Sequence, residues 1–131
     1  MRIHHLGIAV DSLEAAIPVF EKLLGCAPRA SEVVAEQKVR VAVFPVGDSR
    51  IELLEATAPE SPIGKFIAKG GRGIHHLTLA VRNLSETLHE LEKAGFKLID
   101  RESRVGAGYE RIAFLHPSST AGVLIELVEE K

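Results

Sequence analysis

Apolar and polar residues alternate with a period of two in the stretches Ile3–Val10 (IHHLGIAV) and Ile74–Val81 (IHHLTLAV). That period predicts strands. Each stretch is followed by an apolar pattern of helical period. Asp11 or Ser12 opens the first and Asn83 or Ser85 the second, and Gly25 and Gly95 stop them. Asp, Ser and Asn side chains accept from the free N–H groups of a first helical turn, and glycine adopts the left-handed backbone that ends a helix. The predicted helices reach about Leu24 and Ala94. Pro18 lies inside the first, where it removes a hydrogen bond, so a kink or a late helix start is expected. Further strands are predicted at Arg29–Val34, Val39–Val46 and Arg50–Ala56, then at Phe96–Asp100, Tyr109–Leu115 and Val123–Glu129. Gly47–Asp48 reads as a hairpin turn.

The two octets stand 71 residues apart and share six of eight positions. The same offset pairs Leu13 with Leu84, Glu21–Lys22 with Glu92–Lys93, and RVAVF (Arg40–Phe44) with RIAFL (Arg111–Leu115). It grows to 74 at IELLE (Ile51–Glu55) and IELVE (Ile125–Glu129), so the second copy carries three extra residues in the turn HPSSTAG. A repeat of this length marks a duplicated supersecondary unit. The fold class expected is α+β, with two tandem βαβββ modules. One covers about residues 1–57 and the other about 73–131. Residues 58–72 read as a linker, with a short helix near Ile63–Lys69.

Length and composition narrow the picture. A chain of 131 residues with 46% hydrophobic content suits one globular domain. A formal net charge of -2 and the lack of a basic stripe argue against nucleic acid as a partner. The longest apolar runs are strand-sized, so no membrane span is expected. The opening MRIHHLGIAV lacks the apolar core of a secretory leader. Cys26 is the only cysteine, which excludes an intrachain disulfide and a CxxC motif. These features fit a reducing cytoplasm. Cys26 itself reads as a small apolar residue.

Strand alternation separates the histidines. One face of Ile3–Val10 carries His4, Leu6, Ile8 and Val10, bulky enough to pack on helices. The other carries Ile3, His5, Gly7 and Ala9 and leaves room for a ligand. In Ile74–Val81 the same division puts His76, Thr78 and Ala80 on the open face. The last strand of each module adds a carboxylate. Glu52 lies between Ile51 and Leu53, and Glu126 between Ile125 and Leu127, so each points opposite to its apolar neighbours. A buried carboxylate needs a partner or a metal. Two imidazoles and two carboxylates make an N₂O₂ set for Co, Mn, Ni, Zn or Fe with open water positions. The alternative is a pair of structural His–Glu contacts. His89 reads as exposed. His116, in the FLHP turn, reads equally as a turn residue or a substrate contact.

The motifs HHLGIAV, GIHHLTLAV, PIGKFIAKGGRGIHH and RIAFLHPSSTAGVLIELVEE resemble the vicinal oxygen chelate superfamily. Within it, the chain is similar to the methylmalonyl-CoA epimerase family over nearly its full length. The resemblance implies a cup of curved mixed sheets with helices outside, and a homodimer. It implies that His5, Glu52, His76 and Glu126 hold a divalent metal. It further implies an acyl-CoA substrate, methylmalonyl-CoA, inverted at C2 through an enolate stabilised by the metal, with Glu126 also a proton carrier. His116, with Gly106 and Arg111 in and beside the loop RVGAGYER, is the expected substrate-facing set. Val41 occupies a position where some members have glutamate, and Ser118 one where lysine is common. Alternatives on the same modules are a glyoxalase I-type lyase, an extradiol dioxygenase and a metal-free small-molecule-binding protein. HPSSTAG does not resemble the turn usual in glyoxalase I, and a fourth ligand argues against the dioxygenase.

Overall fold

A computed structural model describes residues 1–106 and 110–130. The chain forms two compact units, one of His5–His75 and one in which Met1–His4 join the chain from His76 onward.

In the first unit, β1 (Arg2–Ala9) leads to helix α1 (Leu13–Leu24), then β2 (Ala30–Val34), β3 (Val39–Val46) and β4 (Ser49–Ala56). The strand order is β2-β3-β4-β1. The β3–β4 hairpin is antiparallel, with Val46 opposite Ser49, and Gly47 supplies the positive φ of 58° that the tight turn requires. β1 and β4 run parallel, with Gly7 opposite Glu52. α1 is capped by Ser12, whose side chain accepts from the Ala15 N–H, and it ends at left-handed Gly25. The helix runs through Pro18 without a late start. Its apolar stripe packs on one face of the sheet, where Ala42, Phe44 and Leu53 are fully buried.

The other face of this sheet is covered at one end by helix α2 (Pro62–Ala68). Ile63, Phe66 and Ile67 of α2 pack on Ala9, Val39, Val41 and Leu54. The segment read as a linker therefore closes part of the first core. Gly64 is required there, because a Cβ would sit 2.5 Å from the Pro59 carbonyl oxygen.

The second unit repeats the plan with β5 (Gly73–Val81), α3 (Leu84–Lys93), β6 (Arg104–Val105), β7 (Arg111–Leu115) and β8 (Ile125–Glu129). Its order is β5-β8-β7-β6, with β5 and β8 parallel. Asn83 caps α3 by accepting from the Glu86 N–H. Leu84 and Leu88 of α3 pack on Ala113, Leu115, Ile125 and Leu127.

The strand expected at Phe96–Asp100 does not form. This stretch makes only an isolated bridge, Leu98 to Leu115. The Asp100 carboxylate accepts the Phe114 N–H at 2.8 Å, so a side chain takes a bond that would have extended a ladder. The short strand in that place is Arg104–Val105, which pairs with Ile112 and Arg111. The expected strand from Tyr109 starts at Arg111, and Ala107, Gly108 and Tyr109 of the RVGAGYER loop lie outside the described residues.

Candidate metal centre

In the first unit the parallel pairing of β1 with β4 sets His5 and Glu52 on one face. His5 is opposite Arg50 and Gly7 is opposite Glu52. His5 Nδ1 lies 3.4 Å from Glu52 Oε2. His5 is buried. Gly7 sets no side chain beside the Glu52 carboxylate.

In the second unit β5 and β8 again bring a His and a Glu together, through the other ring nitrogen. His76 Nε2 lies 3.5 Å from Glu126 Oε1, and both residues are buried. The residue opposite Glu126 is Thr78 instead of glycine. Its hydroxyl donates to Glu126 Oε1 at 2.5 Å, and the residue is fully buried. Thr78 thus fixes one carboxylate oxygen. The signal for it was in the repeat, as the one change between the octets that adds a polar group.

Burial pushes the Glu126 carboxyl up to about 7. The Thr78 hydrogen bond opposes that rise, Glu110 adds to it, Arg104 opposes it and Asp100 adds to it. A neutral carboxyl is therefore competitive with a carboxylate here near neutral pH, unless a cation arrives.

The donor set suits a divalent ion. Ligand atoms about 2.1 Å from an ion stand about 3.0 Å apart in octahedral geometry and about 3.4 Å in tetrahedral geometry. The His–Glu separations of 3.4 and 3.5 Å are close to the tetrahedral spacing and exceed a normal hydrogen bond.

The neighbouring histidines do other things. His4 is buried on the helix-facing side of β1. His75 packs edge-on against Phe66 of α2, with ring centroids 4.9 Å apart, and burial holds its pKa below the usual value. His89 is exposed on α3.

Of the three substrate-facing candidates, Gly106 and Arg111 sit side by side across the β6–β7 pairing, where the Gly106 N–H donates to the Glu110 carbonyl at 2.8 Å. His116 caps the turn Pro117–Ser119, its Nδ1 accepting from the Ser118 N–H at 3.1 Å. Arg111 is exposed and donates to Ser103, through Nε to Oγ at 2.9 Å and through Nη2 to the carbonyl at 2.8 Å. It alternates with Ile112 and so lies on the α3 side of β7, opposite the face of Glu126. There it lines a groove of about 440 Å³ with Ser85, His89 and Arg101. Gly106 has no room for a side chain, since a Cβ would meet Ile112 at 2.8 Å.

Residues 4–114 match a family model described as the glyoxalase, bleomycin resistance protein and dioxygenase superfamily. The chain is 33% identical to ethylmalonyl-CoA/methylmalonyl-CoA epimerase of Cereibacter sphaeroides, over 96% of each protein. The chain belongs to this superfamily, in its methylmalonyl-CoA epimerase branch. An uncharacterised protein of Bacillus subtilis is 44% identical over 99% of this chain and 93% of its own length. Among solved structures, a variant of Streptomyces coelicolor methylmalonyl-CoA epimerase, in complex with 2-nitronate-propionyl-CoA, superposes with a TM-score of 0.90. It is 34% identical and is covered over 94% of its length, against 99% of this chain. The fold is that of the vicinal oxygen chelate superfamily, whose members typically bind a divalent metal.

Proposed function

We propose that the protein interconverts the C2 epimers of methylmalonyl-CoA, using a divalent metal held by His5, Glu52, His76 and Glu126. The observation that carries the reading is the recurrence of one His–Glu pair, at 3.4 and 3.5 Å, at matching places in both copies of the repeat. Branch membership supplies the substrate class.

A bound divalent ion would act as a Lewis acid, stabilising the negative charge that develops on the thioester oxygen when C2 loses its proton. The protein's own groups do the rest. Without an ion, burial raises the Glu126 carboxyl to about 7, and Glu126 is the group we assign as one carrier of the C2 proton. Thr78 holds its Oε1 in place. Epimerisation requires the proton to leave one face of C2 and a proton to return to the other, with no net change of atoms or electrons. Position 41 provides neither carrier: Val41 is buried under α2 and has no titratable group. Gly7, Ala9 and Ala80 keep the side chains beside the ligands small along both strands. A homodimer and a cytoplasmic location complete the proposal, and the single cysteine suits a reducing compartment.

The ligand assignment is tested by metal content and epimerase activity in two single variants. His76→Ala should lose most bound metal and activity together. His75→Ala removes a ring that packs on Phe66 and lies outside the proposed ligand set, and it should keep most of both. The reverse pattern would overturn the assignment.

A further inference from the structure

On the second unit's ligand-bearing face, a cation stands beside Glu126 that the ligand set does not use. Arg104 of β6 is opposite Ile112, and Phe114, two residues on, is opposite Glu126. With a period of two, Arg104, Ile112, Phe114 and Glu126 share one face. The Arg104 guanidinium lies over the Phe114 ring, 5.3 Å from its centroid. That distance is within reach of an attractive cation–ring interaction. Phe114 in turn meets the His76 ring edge-on at 6.3 Å. Arg104 Nε stands 3.5 Å from Asp100 Oδ2, the oxygen that also accepts the Phe114 N–H. Ring and carboxylate together hold the guanidinium in position, while its side chain stays 53% exposed.

The charges around it give this placement a purpose. Asp100 and Glu110 both act on Glu126 as negative neighbours, and Arg104 is the positive one. Beside the ion of the proposed site, Arg104 is a second cation that this face offers to an anionic ligand. A guanidinium is planar and presents paired N–H donors that match a carboxylate, and a stacked one loses little freedom on binding.

We propose that Arg104, seated on Phe114 and tied to Asp100, recognises the free carboxylate of the acyl group and so selects acyl thioesters that carry one. The inference rests on the epimerase reading and deepens it by naming a specificity-determining residue. A guanidinium has more N–H donors than one carboxylate accepts from, so Arg104 can meet a second carboxylate without leaving Asp100.

Binding of methylmalonyl-CoA and of propionyl-CoA, which lacks the carboxylate, tests this by titration calorimetry on the metal-loaded protein. Arg104→Gln should weaken methylmalonyl-CoA about ten- to a hundredfold and leave propionyl-CoA within about twofold. Arg104→Lys keeps the charge without the planar fork and should fall between. The epimerase KM should rise with the same ranking while kcat changes less. Equal weakening of both ligands would place Arg104 on the CoA portion and overturn the proposal, as would no weakening of either. If the wild type binds neither ligand, the epimerase reading falls and this inference with it. If it binds both equally well, only the selectivity is refuted.

Discussion

The proposed reaction asks most of Glu126, as ligand and as proton carrier. Burial raises its pKa to about 7, against an unperturbed 4.5. In the metal-free protein the folded state therefore holds a proton that the unfolded state has released between those values. Stability from this group is fully present below pH 4.5 and is lost as pH rises through about 7, a change of roughly 3 kcal/mol. Metal reverses the trend, because the ion displaces the proton and binds better as pH rises. Urea unfolding of metal-free wild type and Glu126→Gln, followed from the unperturbed carboxylate range to mildly alkaline pH, should show an excess downward slope in the wild type alone. Identical slopes would mean that Glu126 titrates normally. At this scale the sequence was informative: alternation separated His5 and His76 from His4 and His75, and it placed both glutamates with the former. Thr78 and Arg104 escaped it. Their roles depend on which residue lies opposite in a neighbouring strand, and that register is not written in either strand alone.

At the level of elements, the repeat predicted two helices, their caps and most strand positions. It missed how each helix is tied to the sheet. Glu55 of β4 accepts the Leu13 N–H at 2.6 Å, and Glu129 of β8 accepts the Leu84 N–H at 3.0 Å. These glutamates are repeat partners, and each puts negative charge at a helix N-terminus, where free N–H groups and the helix dipole favour it. The same contacts anchor the helices to the strands that carry Glu52 and Glu126. Glu55→Ala and Glu129→Ala should each cost about 1–2 kcal/mol in urea denaturation, by loss of a cap. A cost near zero for either would show that the tie is solvated. The strand misplaced at Phe96–Asp100 failed for a related reason. Phe96 and Leu98 do pack against the second core, so the hydrophobic signal was real. What competes is the Asp100 side chain, which takes the Phe114 N–H, while the Phe114 carbonyl still accepts from the Ile99 and Asp100 N–H groups. The short helix expected near Ile63–Lys69 forms as α2, and its Ile63, Phe66 and Ile67 cover Val41 and Leu54.

For the molecule as a whole, duplication explains why so much was legible. Two copies of one βαβββ plan doubled every weak local signal and made a His early and a Glu late in each copy stand out from chance. The copies differ at Gly7 against Thr78, in α2 on the first unit, and in Arg104 on the second. The central claim is that this divergent pair removes and returns a proton at C2 of methylmalonyl-CoA with a divalent metal bound. The most direct measurement is exchange of the C2 hydrogen for deuterium in heavy water, followed by NMR, for metal-loaded wild type, chelator-stripped wild type and metal-loaded Glu126→Gln. The loaded wild type should exchange, the stripped protein should not, and the variant should be slower by a factor of about a hundred or more. Absence of exchange in every metal-loaded form would contradict the account.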